Sequence, residues 1–303
     1  MVVNGYISDS HRILCGVPQD SVLGPLLFLL YINDLYKSSN KLQFYLFADD
    51  TGFTYANGDL KKLGTEINEE LFKVWSCLVV NKLTLNIEKT NYIIFRPRQK
   101  TIPFHPNIKI INNNSNTSQP LEMKNYIRYL GILIDSNLSW KFHIDYVCQK
   151  VSKTIGIIAK LRHFVPRHAL LTLYRSLILP YISYGICAWG HAAETHLHML
   201  LVLQKRALRL MFFAEPRTHA VPLFLETKQL AISFLLFEQM SLLMYDVHNN
   251  LASDNIKNML TKLSSVHSYR TRSVTNENYY VEQVRTENII YFIIYNTGQF
   301  SKS

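Results

Sequence analysis

Apolar and polar positions change period several times along the chain. From Ser21 to Lys37 the residues SVLGPLLFLLYINDLYK are apolar nearly all round until Asn33. That pattern predicts a buried helix capped by Ser21. Residues 42–55, LQFYLFADDTGFTY, switch to strand character and predict two strands meeting at Asp49-Asp50. Leu60, Leu63, Ile67, Leu71, Trp75 and Leu78 then recur at helical spacing. Residues 83–95 predict a second strand pair, with Asn86 to Lys89 as its turn. Pro97, Pro103, Pro106 and the run NNNSNTSQP mark 96–120 as a surface loop. A short strand pair is expected around Tyr129 to Asp135. From Trp140 the period is helical: Trp140, Ile144, Val147, Val151, Ile155 and Ile158 form one stripe. Further helices are expected over 167–179, 192–213 and 229–248. Ahead of all this, residues 1–14 read as extended with a turn at Asn4-Gly5. Gly16 to Gln19 reads as a loop, because Pro18 disfavours helix at Val17. The last fifty residues are polar and mixed and set no period. Strands concentrated early and helices late point to an α+β fold.

Composition narrows the class. With 48% hydrophobic and 18% charged residues, the 303-residue chain has enough apolar material for real cores and does not read as disordered. Its net charge of +10 favours a polyanionic partner, either nucleic acid or an anionic membrane surface. Cys15, Cys77, Cys148 and Cys187 stand far apart without a C-x-x-C pair, so neither a zinc knuckle nor a disulfide framework is indicated. The start lacks a basic region followed by an apolar core, so no secretory signal is visible. Val22 to Ile32 is too short to span a bilayer, and Leu170 to Trp189 is interrupted by Arg175 and Pro180. An intracellular setting, nucleus or cytoplasm, is expected. The N-x-S/T triplets at Asn113, Asn116 and Asn137 are then incidental.

Phe47-Ala48-Asp49-Asp50 holds the sharpest chemistry. Like charges about 4 Å apart repel by about 4 kcal/mol at an effective dielectric near 20. A divalent cation offsets such repulsion. Strand side chains alternate faces, so Asp49 is the candidate direct ligand and Asp50 the secondary one. Taken alone, an Asp-Asp pair in a β-turn is more often turn chemistry than catalysis. On the helix from Trp140, Lys150, Lys153 and Lys160 fall opposite the apolar stripe. Residues 137–180 carry seven Lys or Arg against one acid, Asp145. Such a face suits a phosphate backbone. A solvated helix face explains the lysines but not the near absence of acids. Lys205, Arg206 and Arg209 extend the basic character. His191, His196 and His198 near Glu194 fit no common metal spacing and read as surface histidines.

GVPQ at 16–19, SVLGPLLFLLYINDL at 21–35, FADDT at 47–51, LNIEKTNYIIF at 85–95 and YLGILID at 129–135 stand in one order. With KVSKTIGIIAKLRHFVP, LYRSLILPYISYGICAWG, LQKRALRLMF and HSYRTRS downstream, they resemble the reverse transcriptases of non-LTR retrotransposons, of the jockey and related LINE-type kinds. The resemblance covers nearly the whole chain, from the GVPQ loop onward. It implies a partial right-hand polymerase palm over 1–100, and a surface loop with primer-grip strands over 101–136. It further implies a helical thumb over 137–190 and a helical C-terminal region over 191–303. It implies an RNA-directed DNA polymerase, a nucleotidyltransferase using Mg²⁺ (or Mn²⁺) and deoxynucleoside triphosphates on an RNA template with a DNA primer or RNA–DNA duplex, with no membrane partner. Asp49 and Asp50 become metal-binding carboxylates for two-metal phosphoryl transfer. Gly16, Pro18, Gln19, Phe47 and Ala48 become nucleotide and template contacts. Lys89 stands near the leaving pyrophosphate. Tyr129, Leu130 and Gly131 form the primer grip. Lys150, Lys153, Lys160, Lys205, Arg206 and Arg209 face nucleic acid.

Two departures from the family pattern stand out. The family takes a third carboxylate and a fingers domain from residues well before the GVPQ loop, and here fifteen residues precede it. Asp20 replaces the family's Gly after GVPQ and puts negative charge where triphosphate approaches. A C-terminal fragment, inactive alone, is therefore expected. The rival readings are a non-catalytic nucleic-acid-binding remnant or domesticated protein, and a sequence with no role as a protein. The sequence sets no oligomeric state and does not identify the RNA copied.

Overall fold

A computed structural model of the chain describes residues 21–97, 104–112 and 117–262. It also describes the short segments 2–3, 6–7, 290–296 and 301–302 and the single residues 265 and 279. Two compact units result, Met1–Ile127 with Asn288–Ser303, and Arg128–Glu287.

The first unit begins with β1 (Val2–Val3), β2 (Tyr6–Ile7), α1 (Gly24–Ile32) and a 3₁₀ helix over Asn33–Ser38. It continues through β3 (Gln43–Phe47), β4 (Asp50–Asn57), α2 (Leu60–Val80) and β5 (Leu83–Thr84). A 3₁₀ turn over Ile87–Lys89 leads into β6 (Thr90–Phe95), β7 (Lys109–Asn112), β8 (Thr117–Pro120) and β9 (Glu122–Met123). β10 (Tyr126–Tyr129) ends the segment, and with β11 (Ile132–Asp135) it forms a hairpin. The second unit is helical: α3 (Lys141–Leu161), α4 (Arg167–Leu177), α5 (Leu179–Ser183), α6 (Ile186–Trp189), α7 (Glu194–Met211), α8 (Val221–Thr227), α9 (Ile232–His248) and α10 (Asp254–Lys257). The chain then returns to the first unit with β12 (Ile290–Asn296) and β13 (Ser301–Lys302).

Helix α2 organises the first core. The Asp59 side chain accepts from the Lys61 amide at 2.9 Å and starts the helix. Leu63, Ile67, Leu71, Val74 and Leu78 are buried along one stripe. Each such side chain contributes about 2 kcal/mol relative to exposure. Val74 takes the core position that the sequence pattern assigned to Trp75, which is half-buried. Glu70 lies inside this core, where its carboxylate accepts from Ser39 Oγ (2.5 Å) and Lys73 Nζ (2.7 Å). Burial pushes its carboxyl up, and those two hydrogen bonds outweigh it and leave it below the ordinary value.

α2 covers one face of a five-stranded sheet of order β3-β4-β12-β6-β9. β3 and β4 form an antiparallel hairpin, with Phe47 opposite Asp50 and Phe44 opposite Phe53. β12 runs antiparallel to both β4 and β6, so those two strands are parallel to each other.

Five expectations are corrected here. α1 is not buried: Leu30 is 68% exposed, and Leu26, Leu27 and Leu29 are open as well. Ile32 is buried in the core and Phe28 packs against it half-buried, because a helix apolar all round can lay just one side on a neighbour. Nor does Ser21 cap it: the N-cap is Leu23, without a side-chain cap, and Ser21 Oγ accepts from the Gly24 amide at 3.1 Å in the turn ahead of the helix. β5 and β6 do not pair with each other: β5 pairs β13, and β6 lies between β12 and β9. The 96–120 stretch holds the β7–β8 hairpin, with Ile108 and Ile110 buried in the core below it. Lastly, the C-terminal region is not all helical, since 290–296 is a strand.

In the second unit α3 packs on α7 and on β11. Ile144, Val147, Val151, Ile155 and Ile158 are buried with Leu170, Tyr174, Trp189, Leu200 and Leu208. The turn into α3 is tied by Asp135, whose carboxylate accepts from the amides of Asn137, Ser139 and Trp140 at 3.1, 3.0 and 2.8 Å. Trp140 itself takes a left-handed φ of 61°. Gln204, fully buried, donates to Tyr174 Oη (3.1 Å) and the Leu230 carbonyl (3.3 Å) and accepts from the Ile232 amide (2.9 Å). It joins α4, α7 and the start of α9 by hydrogen bonds that water cannot replace.

His143 gives this unit an acid sensitivity. Its Nδ1 accepts from the Leu133 amide at 3.3 Å, and its buried Nε2 has no hydrogen-bond partner. Burial pushes the imidazole down to about 4. The unfolded chain therefore takes up the proton first, near the ordinary value of 6.5. Stability is full above that value and falls as pH drops toward the folded value, by about 3 kcal/mol in all. Urea unfolding of the second unit between pH 7 and pH 4 is expected to show that loss. In His143→Asn, which keeps an acceptor for Leu133, most of the slope is expected to vanish.

Candidate active site

The acid turn forms where β3 hands over to β4. Ala48 adopts φ 50°, the left-handed geometry that lets two residues reverse the chain. Asp49 lies in the turn and Asp50 begins β4, both half-buried. Cross-strand pairing fixes which face they share. Leu46 with Thr51 and Phe44 with Phe53 look toward α2, where the Phe44 and Phe53 rings meet edge-on at 5.0 Å. Phe47 with Asp50, Tyr45 with Gly52 and Gln43 with Thr54 occupy the opposite face, which is exposed at the β3 edge and buried at Gly52, Ile93 and Phe95. Phe47 is 61% exposed there. Tyr45 joins it as an exposed aromatic. The alternation Gln43, Tyr45, Phe47 was readable in the sequence, yet only Phe47 was singled out.

Lys89 ends the 3₁₀ turn before β6 and is exposed. Asn296 of β12 pairs with Thr51 on one side and Thr90 on the other. Thr51 and Thr90 are therefore level, and so are the residues just before them, Asp50 and Lys89. With one strand between, their backbones stand about 10 Å apart. Two carboxylates and one ammonium thus share one end of the sheet. Adjacent carboxylates on a turn are hard oxygen donors of the kind Mg²⁺ takes, one or two at a time with water completing the shell. Among the described residues no group of three His, Cys, Asp or Glu side chains could hold a metal ion.

The remaining candidates divide by location. Gly16, Pro18, Gln19 and the variant Asp20 lie outside the described residues. In the second unit Leu130 and Gly131 form the hairpin tip with φ values of 44° and 86°. Tyr184 Oη donates to the Leu130 carbonyl at 2.7 Å and steadies that tip, a role no sequence motif announced. Tyr129 is half-buried. On α3 Lys153 and Lys160 are exposed beside the open Ile157, and Lys150 lies with Nζ 5.5 Å from the Tyr146 ring centre. The Arg128 guanidinium stands 5.6 Å from the centre of the same ring. On α7 Arg206 is exposed, Lys205 is half-buried, and Arg209 Nε donates to the Thr218 carbonyl at 2.9 Å. Arg209 is thus partly spent on holding its own loop. No single helix among the described residues is long and apolar enough to cross a membrane.

Residues 2–134 match the family model described as reverse transcriptase (RNA-dependent DNA polymerase). The chain is 27% identical over 213 residues to the probable RNA-directed DNA polymerase from transposon X-element of Drosophila melanogaster, covering 68% of this chain and 22% of that one. It is 28% identical over 222 residues to the RNA-directed DNA polymerase from mobile element jockey of the same fly, covering 68% and 23%. It is 28% identical over 214 residues to the probable RNA-directed DNA polymerase from transposon BS, also of that fly, covering 64% and 22%. The chain therefore spans less than a quarter of the length of these curated relatives. No solved structure gives a significant match.

Proposed function

Because the chain belongs with the reverse transcriptases of non-LTR retrotransposons, we propose that its first unit carries the catalytic turn of an RNA-directed DNA polymerase palm and its second unit the thumb. The observation that carries this reading is the acid turn itself. Asp49 and Asp50 stand at the tip of an antiparallel hairpin, both half-buried and beside the exposed Phe47 at the β3 edge of the sheet. Lys89 is level with them at the same sheet end.

In this reading Asp49 and Asp50 hold Mg²⁺ or Mn²⁺, which would supply the positive charge that phosphoryl transfer from a deoxynucleoside triphosphate requires. Lys89 places an ammonium where the pyrophosphate departs and donates a hydrogen bond or a proton to it. Phe47 and Tyr45 offer exposed rings for stacking at the β3 edge. The Tyr129–Gly131 tip bears on the primer, and α3 tracks the duplex backbone. The protein's location is then wherever the RNA is copied, nucleus or cytoplasm.

A second reading has its own support. Lys153, Lys160 and Arg206 are exposed on α3 and α7, which suits nucleic-acid binding with or without catalysis. A primer-extension assay dependent on both template and metal separates the two. Both readings share one expectation for the thumb. Replacing Lys150, Lys153 and Lys160 with Glu weakens RNA–DNA duplex binding. It also flattens the plot of log K against log salt by about 0.7–0.9 for every phosphate that the protein no longer neutralises. A salt titration by fluorescence anisotropy reads this out, and an unchanged slope would move the duplex off α3.

A further inference from the structure

The sheet of the first unit contains a place that its neighbouring strands cannot fill. β4 leads through α2, the short β5 and a 3₁₀ turn to β6, and β4 and β6 are parallel yet not adjacent. They form a split β-α-β unit with one strand position left between them. Thr51, Gly52 and Phe53 of β4 and Tyr92, Ile93 and Ile94 of β6 are buried along its walls. Their backbone groups need partners, so the position cannot stand empty in a folded unit. The occupant comes from the far end of the chain. β12 pairs from Ile290 opposite Asn57 to Asn296 opposite Thr51, and from Tyr291 opposite Phe95 to Asn296 opposite Thr90.

The fit of that occupant changes along its length. Residues 290–294, IYFII, lie between the apolar run Tyr92 to Phe95 of β6 and the mixed run Phe53 to Asn57 of β4. At the end beside the acid turn the walls turn polar. Thr51 Oγ1 and Asn91 Oδ1 are buried there without a hydrogen-bond partner, level with Asn296 and Tyr295. The β12 sequence, IYFIIYN, contains neither acid nor base. Backbone pairing, which any extended segment can supply, is what holds it.

We propose that the position between β4 and β6 is a strand-docking site in which residues 290–296 sit as an exchangeable occupant, closing the sheet next to Asp50. Resting on the polymerase reading, this makes the tail an internal block. While 290–296 is seated, no strand bearing a further polar or acidic side chain can stand beside the acid turn.

The test uses the full chain and does not depend on polymerase activity. Thr54 and Ile293 are directly opposed, so Thr54→Cys with Ile293→Cys is expected to form a disulfide on oxidation, seen as one linked peptide by mass spectrometry. A fluorescein-labelled peptide of residues 288–299 is the probe. Ile293→Pro, which removes an amide from the ladder, is expected to bind it at least tenfold more tightly than the unaltered chain. The oxidised cysteine pair is expected to bind none. Should Ile293→Pro fail to fold, the reduced and oxidised forms of the cysteine pair give the same contrast. No 54–293 linkage, uptake by none of the folded chains, or equal uptake by locked and unlocked chains each overturns the proposal.

Discussion

Asp49→Asn is expected to lower Mg²⁺-dependent primer extension at least a thousandfold in this chain joined to the fingers-and-palm segment of a jockey-type relative. The substitution keeps the shape of the side chain and removes its charge. A thousandfold is about 4 kcal/mol of transition-state stabilisation, the scale of one directly coordinating carboxylate. Asp49 has no hydrogen-bond or ion-pair partner among the described residues, so the fold is expected to be untouched, and circular dichroism checks that control. Asp50→Asn is expected to cost less, because Asp50 starts β4 and its direction is set by the strand. In the joined chain Asp20→Gly, which removes an acid from the loop after GVPQ, is expected to raise the rate at least tenfold, about 1.4 kcal/mol. Loss of activity in Asp49→Asn below tenfold would place the chemistry elsewhere.

The largest expected stability effect lies in the second unit. Trp189 is fully buried at the centre of its core, with its ring edge-on to His143 at 5.3 Å. Its Nε1 donates to the Tyr184 carbonyl at 2.9 Å. Gly185 holds a left-handed φ of 63° between them, and a Cβ there would come within 2.4 Å of Ile132 Cδ1. Trp189→Ala therefore empties a large volume and strips a carbonyl of its partner at once. About 4 kcal/mol of destabilisation is expected. That is a large part of what a domain of this size has to lose. Phe164→Ala, at a ring 84% exposed, is the matched control and is expected to stay within about 0.5 kcal/mol. Urea unfolding followed by far-UV ellipticity, which does not depend on the tryptophan, reads both. A Trp189→Ala cost no larger than the control would mean that the α3–α7 core is not organised around this ring.

Much of the site was legible because its signals are local. The β3–β4 hairpin follows from strand character on both sides of Asp49-Asp50, and α3 from a stripe kept over six positions from Trp140 to Ile158. The Leu130-Gly131 tip follows from short strand patterns meeting at a glycine. The misses share a different cause. An all-apolar stretch such as Leu26 to Ile32 says which residues avoid water but not which side finds a neighbour. Ile108 and Ile110 were hidden by the prolines and asparagines around them, which mark turns without saying what lies between. The pairing of β5 with β13 and the seating of β12 depend on residues some two hundred positions apart, beyond any periodicity. The same holds for Lys89. Its place level with Asp50 comes from two ladders on the two sides of β12, and nothing in LNIEKT encodes it.

Where a divalent ion binds can be read directly. Fe²⁺ substituted for Mg²⁺ generates hydroxyl radicals that cut the backbone around the bound ion, and the fragments map the site. Cleavage is expected to cluster at Phe47 to Thr51, to fade with excess Mg²⁺, and to disappear in Asp49→Asn. Cleavage that persists in Asp49→Asn, or that centres instead on His191 to His198, would contradict the assignment of the acid turn as the metal-binding heart of this chain.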